Sequence, residues 1–144
     1  MTTIFTIGYE QATLADVIDR LAAAGVEQLL DVRAVAASRR PGFSKTVLSN
    51  SLAAAGIAYV HLRGLGTPAD GRAAARAGRV DAMHAIFRAH MTTTEAQADL
   101  ARAADLVATR PSALLCYEAA ASVCHRRIVA DTLVDMLGAD VIDL

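Results

Sequence analysis

TIFTIGYEQATLADVIDRLAAAGVEQLLDVR, residues 3–33, is the stretch whose reading decides the fold. Thr3 to Ile7 is a short β run closed by Gly8. Thr13, with Asp16 three residues on, makes a capping-box start, and Leu14, Val17, Ile18 and Leu21 then recur at helical spacing until Gly25 stops the helix. Gln28 to Val32 is a second apolar strand, ending in the polar pair Asp31 and Arg33. Strand, helix and strand in this order form a βαβ unit, which calls for parallel pairing through a right-handed crossover.

The pattern repeats outward from this unit. A loop with Pro41 and Gly42 leads to Ser44 as N-cap, a helix through Leu48 and Leu52, a stop at Gly56 and a strand from Ile57 to Leu62. Arg63 to Gly78, rich in Gly, Ala and Arg, is less regular. A helix follows from Val80 to His90, with Ala82, Met83, Ile86 and Phe87 on one side. Thr94 with Gln97 reads as a second capping box, opening a helix in which Ala96, Leu100, Ala104 and Val107 share a face before Pro111. The clearest strand is Ser112 to Tyr117. It runs into Glu118, an Ala-rich turn, Ser122 as N-cap, a helix from Val123 to Leu137 closed by Gly138, and a last strand through Val141, Ile142 and Leu144. The expectation is one α/β domain over residues 1–144, three layers deep, with a mostly parallel sheet of about five strands and helices on both faces.

Composition narrows the class. With 144 residues, 54% hydrophobic and 20% charged, the chain can bury enough apolar surface to offset its conformational entropy, which excludes a disordered polyelectrolyte. No apolar run approaches the ~20 residues of a membrane helix, and Met1 to Ile7 is too short and uncharged for a signal peptide. The expected location is therefore the cytoplasm, with Cys116 and Cys124 as free thiols. A net charge of −1 argues against coating nucleic acid by bulk electrostatics. Locally the picture differs: thirteen of the fourteen basic residues are Arg, and Arg33, Arg39, Arg40 and Lys45 share a stretch without one acid. Such a loop is either an anion clamp, since Arg binds phosphate bidentately, or a solvated loop.

In an open parallel sheet, ligands bind beyond the carboxyl ends of the strands. Polar residues gather there: Tyr9 and Glu10 after the first strand, Asp31 and Arg33 after the second, His61 and Arg63 after the third, Cys116 and Glu118 after the fourth. The densest cluster is Cys116, Tyr117 and Glu118, then Cys124, His125 and Arg126. With Ser122 as cap, these last three occupy the first helical turn, where amide donors and the helix dipole favour an anion and a thiolate. Cys124 is then a candidate nucleophile or redox thiol, with His125 or Glu118 as acid or base. The plainer alternatives are Cys116 and Cys124 as core residues, and Glu118 and Asp31 as caps or partners of Arg33 and Arg126. His61, His84 and His90 read as structural or exposed. Cys116, Glu118, Cys124 and His125 are all zinc-ligand types, but seven residues separate the cysteines and His125 adjoins Cys124, a poor match to zinc spacing, so no metal is assigned. A tyrosine-phosphatase-like loop from Cys116 to Arg126 would be about four residues too long and is set aside.

Thr6-Ile7-Gly8-Tyr9-Glu10, Leu30-Asp31-Val32-Arg33, Ser38-Arg39-Arg40-Pro41-Gly42-Phe43-Ser44, Leu65-Gly66, and Leu115-Cys116-Tyr117-Glu118 followed by Cys124-His125-Arg126 together resemble the domain-of-unknown-function 488 family over nearly the whole chain. The departures are the Ala119-Ala120-Ala121 turn, where the family tends to be polar, and a last strand lacking the common histidine. The resemblance implies no settled activity. It points to Asp31, Arg33, Ser38, Arg39, Phe43, Cys116, Glu118, Cys124, His125 and Arg126.

Three functions are consistent with these residues. The first is an enzyme on a phosphorylated or nucleotide-like substrate, with Arg33, Arg39 and Arg126 holding the anion beside Tyr9, Ser38 and Phe43, Glu118 or Asp31 as base, and Cys124 as nucleophile. The second is a non-catalytic module for an anionic small molecule or structured nucleic acid. The third is a redox pair or metal site at Cys116 and Cys124. The sequence names no cofactor and no oligomeric state.

Overall fold

The computed structural model describes residues 2–144. Five parallel strands form one sheet in the order β3-β2-β4-β1-β5. The strands are β1 (Thr3–Gly8), β2 (Gln28–Asp31), β3 (Ala58–His61), β4 (Ser112–Cys116) and β5 (Asp140–Asp143); the helices are α1 (Leu14–Ala23), α2 (Lys45–Ala54), α3 (Ala69–Arg76), α4 (Val80–His90), α5 (Thr94–Thr109) and α6 (Arg126–Leu137). This is the three-layer α/β arrangement that the alternating pattern implies.

Both faces of the sheet are covered, and the period of two along each strand sorts its side chains between them. Ile7, Leu29 and Leu115 face Val17 and Leu21 of α1 and Leu48 and Leu52 of α2. Ile4, Leu30 and Leu114 face Met83 and Phe87 of α4, Leu100 and Val107 of α5, and Val129 and Leu133 of α6. β2 and β4 are buried at every position, as expected of central parallel strands.

Local rules explain most boundaries. Thr13 and Asp16 form the expected capping box, with Asp16 N donating to Thr13 Oγ1 at 3.1 Å. Gly138 closes α6 in the left-handed region at φ 66°. Three expectations are corrected. Thr93, not Thr94, caps α5, accepting from Ala96 N at 3.2 Å, while Gln97 donates from Nε2 to Met91 O. Residues 69–76 form α3, although the segment was read as irregular: Gly71 hides the helix from a propensity count, yet its missing side chain is what lets α3 lie against α4, since a Cβ there would stand 2.4 Å from Thr67 Cγ2 and 3.2 Å from Ile86 Cγ2. Ser122 does not cap α6. Ala121–Val123 make a separate 3₁₀ turn, and the helix begins at Arg126 with His125 as N-cap. Ser44 holds the N-cap position of α2, but its hydroxyl instead bonds Ser38, accepting from N at 3.1 Å and donating to O at 3.2 Å. Among the described residues no helix is long and apolar enough to cross a membrane.

Candidate functional site

The strand order creates the site. Because β4 lies between β2 and β1, its exit is held by both neighbours: Leu115 O accepts from Val32 N at 3.1 Å, Cys116 O from Tyr9 N at 3.3 Å and Tyr117 O from Glu10 N at 2.8 Å. Glu10 Oε1 then accepts from Ala119 N at 3.1 Å. Gly8 must lack a side chain here, since a Cβ would fall 1.8 Å from Glu118 O. Arg126, only 1% exposed, completes the clamp by donating from Nη1 to Glu118 O and from Nη2 to Ala119 O at 3.0 Å.

Over this exit opens a cavity of about 430 Å³. Cys116, Glu118 and His125 form one side, Tyr9, Arg33 and Tyr117 another, and Thr67, Arg72, Arg76 and Met83 a third. Cys124 lies just behind, fully buried. Its sulfur, that of Cys116 and Nδ1 of His125 are all within 4.8 Å of one another. Nδ1 is 3.5 Å from Cys116 Sγ and 3.8 Å from Cys124 Sγ, while Cys116 Sγ donates to Glu118 Oε2 at 3.6 Å. His125 is oriented through Nε2, which is 2.6 Å from Val32 O, and by the ring of Phe87 set edge-on at 4.9 Å. A carbonyl only accepts, so Nε2 carries the hydrogen and Nδ1 faces the sulfurs.

The electrostatics follow from this burial and proximity. Contact with Cys124 pushes the Cys116 thiol well up, and burial adds to it. Burial also works against a Cys124 thiolate, but the hydrogen bond from Cys116, the neighbouring His125 and the Arg126 charge outweigh it and bring Cys124 well below an ordinary thiol. Arg126 N additionally donates to Cys124 Sγ at 3.5 Å. Burial disfavours the His125 imidazolium, yet Cys124 and the Val32 carbonyl raise its pKa overall. Burial, reinforced by Cys124, pushes Glu118 up to about 7.

The other expected site residues divide into two groups. Asp31 and Arg33 reach the same rim but are engaged with each other: Asp31, fully buried, accepts from Arg33 Nε at 2.9 Å, Nη2 at 2.7 Å and backbone N at 3.1 Å, and from Tyr59 OH at 2.5 Å. Arg33 Nη1 donates to Phe43 O at 2.8 Å and Tyr9 OH at 3.1 Å, and Tyr9 stacks on Phe43 at 4.3 Å. Burial opposes the Arg33 charge, but Asp31 more than offsets it and the pKa is raised. Phe43 thus supports Tyr9 from beneath. Ser38 and Arg39 do not line the cavity; Arg39 is exposed and Ser38 is tied to Ser44. Arg40 Nε donates to Ala12 O at 2.6 Å. Two of the remaining histidines have partners: His61 Nε2 is 2.7 Å from Arg33 O, and His90 Nε2 is 2.7 Å from Gly64 O.

Arg72 and Arg76 carry no motif in the sequence, yet both line the cavity. Four apart on α3, they reach the cavity from one helix face, and neither makes an ion pair among the described residues. Arg72 Nη1 donates to Thr67 O at 2.9 Å, which fixes its direction. Their i,i+4 spacing in an Ala-rich segment was the available signal.

Comparison with known proteins gives one match: the family described as "Domain of unknown function DUF488" covers residues 13–133 of the 144. No curated protein and no solved structure matches the chain.

Proposed function

The chain belongs to the DUF488 family, and from that premise and its cavity we propose that it is an enzyme acting on a phosphorylated or nucleotide-like anionic substrate. The observation that carries this reading is the juxtaposition, around one cavity, of a buried Cys-Cys-His cluster, a carboxyl group and two arginines without acidic partners among the described residues. Arg72 and Arg76 hold the anion, since guanidinium forks match phosphate oxygens. Tyr117, exposed and set edge to face against the buried Tyr9 at 5.4 Å, offers an aromatic face for a planar base. Glu118 is placed to exchange a proton with a substrate seated above Cys116, and the cluster beneath supplies the polar floor. Cys124 has no exposed surface, so of the two sulfurs only that of Cys116 meets the cavity. A reducing compartment such as the cytoplasm keeps the two sulfurs from pairing as a disulfide.

The test is titration calorimetry with inorganic phosphate and a nucleoside monophosphate, followed by turnover assays on a panel of phosphorylated compounds. Arg72→Ala should weaken anion binding about 10-fold and Arg76→Ala a few-fold, because a hydrogen bond to a charged group contributes about 1.5–3 kcal/mol and the exposed Arg76 is screened by solvent. Glu118→Gln should leave binding intact and abolish turnover. Binding unaffected by both arginine changes would refute the site. Binding without turnover of any phosphorylated compound would leave a non-catalytic module.

A further inference from the structure

The geometry points to a zinc-type metal site at the floor of the cavity, with Cys116 Sγ, Cys124 Sγ and His125 Nδ1 as its three protein ligands. The inference deepens the proposed function and rests on it only for what the metal would do; the ligand set stands on its own geometry.

Zinc holds thiolate sulfur at about 2.3 Å and imidazole nitrogen at about 2.0–2.1 Å, so a tetrahedron around it has sulfur-to-nitrogen edges of about 3.6 Å. The two such edges here are 3.5 and 3.8 Å. All three donor atoms lie within 4.8 Å of one another, and all three residues are buried. The ligand types also agree: soft thiolates with one imidazole select zinc over the oxygen-seeking cations.

The groups around the donors suit a metal as well. A metal-binding histidine needs its other ring nitrogen engaged, so that the ligating nitrogen is bare. Val32 O, 2.6 Å from Nε2, has that effect, and it comes from the residue just after the adjacent strand β2 rather than from the ligand loop. The amide of Arg126 donates to Cys124 Sγ at 3.5 Å, as amides do to thiolate ligands, and the Arg126 side chain pins the loop between the two cysteines by its carbonyls. These contacts orient the three donors before any ion arrives.

Seven residues between the cysteines is wrong for a turn that brings paired ligands together locally. Here the loop is closed differently: the 3₁₀ turn Ala121–Val123 folds the chain back beneath the end of β4, and β1 and β2 hold that strand end in place. Three protein ligands, two of them lining a cavity, match sites with an open fourth position more closely than closed structural ones. Glu118 Oε2, 3.6 Å from Cys116 Sγ, is the oxygen donor beside that position. In such a site the two cysteines act as ligands, and the bond-making group belongs to the substrate or to solvent rather than to Cys116.

The experiment uses the full chain, expressed with zinc in the medium and purified without chelator or metal-affinity resin. Elemental analysis should find about one equivalent of zinc per chain. Replacement by cobalt should give thiolate-to-metal charge-transfer absorption together with the visible bands of a tetrahedral ion. Cys124→Ser and His125→Ala should each lose that spectrum, and Arg72→Ala and Arg76→Ala, which remove no ligand, should keep it. A folded wild-type chain that carries less than about 0.1 equivalent of zinc, and whose metal-free form takes none from a chromophoric chelator, would overturn the proposal. The two readings fail separately. Metal present without phosphate or nucleotide binding would sustain the metal site and sink the proposed function, and anion binding by a chain unable to take zinc would do the reverse.

Discussion

Replacing Asp31 by Asn tests how the cavity rim is built. Asp31 has no exposed surface and takes three bonds from Arg33 and one from Tyr59, while Arg33 is itself buried. Asn keeps the shape, but removes the charge and turns an NH₂ group toward guanidinium donors. The cation is then buried without a counter-charge, and breaking a buried pair from one side costs about 3–5 kcal/mol. Arg33 retains Phe43 O and Tyr9 OH, so the lower part of that range applies, about 3–4 kcal/mol. Against a total of about 5–15 kcal/mol this is a large share. With a urea m-value of about 2 kcal/mol/M, the denaturation midpoint should fall by about 1.5–2 M. The double change Asp31→Leu with Arg33→Met removes both charges and should cost less than Asp31→Asn alone, because the penalty lies in the orphaned cation rather than in the lost attraction. A midpoint shift under about 0.3 M for Asp31→Asn, or a double variant weaker than the single one, would refute this reasoning.

Three further outcomes are expected. Gly8→Ala forces a Cβ to within 1.8 Å of Glu118 O, so the segment at Glu118–Ala119 must move; about 2–3 kcal/mol of stability should be lost in urea, and a variant of wild-type stability would show that the segment is free to shift. Arg126→Lys keeps the charge but cannot span two carbonyls, and should lower stability by about 2 kcal/mol; an unchanged melt would mean that the clamp on Glu118 and Ala119 contributes little. Tyr59 is held above the usual phenol range, first by burial and then by its bond to Asp31. Its folded pKa exceeds its unfolded one, so its contribution is complete below about pH 10 and declines as pH rises through the folded value. Tyr59→Phe should therefore lose stability at neutral pH and also remove the last phase of tyrosinate absorbance on alkaline titration. Retention of that phase in the variant would assign it elsewhere.

Some of the site was legible residue by residue. Cys116, Glu118, His125, Tyr9 and Arg33 stand at strand ends or in the following loop, and the structure sets all five around one cavity. The Arg39 stretch looked equally suitable on charge alone, but charge does not say which way a loop turns. Bonds from Ser38 to Ser44 and from Arg40 to Ala12 O fold that loop toward α1, and Arg39 stays exposed. Arg72 and Arg76 failed to register for the opposite reason. The face that α3 turns inward is Gly71, Ala74 and Ala75, at helical spacing but with side chains too small to stand out as an apolar stripe.

The amino-acid sequence by itself determined the alternation of strand and helix and the two-faced burial of the strands. Both are written in spacings of two and of three to four residues, which local backbone geometry enforces. It also determined that Cys116 and Glu118 would emerge at a strand's carboxyl end. Only the tertiary structure decided that β4 lies between β2 and β1, and hence that Cys116 meets a histidine oriented by Val32 and a loop held by Gly8, Tyr9 and Glu10. Strand order is settled by competition among many long-range pairings that bury similar apolar surface, and no local pattern encodes its result.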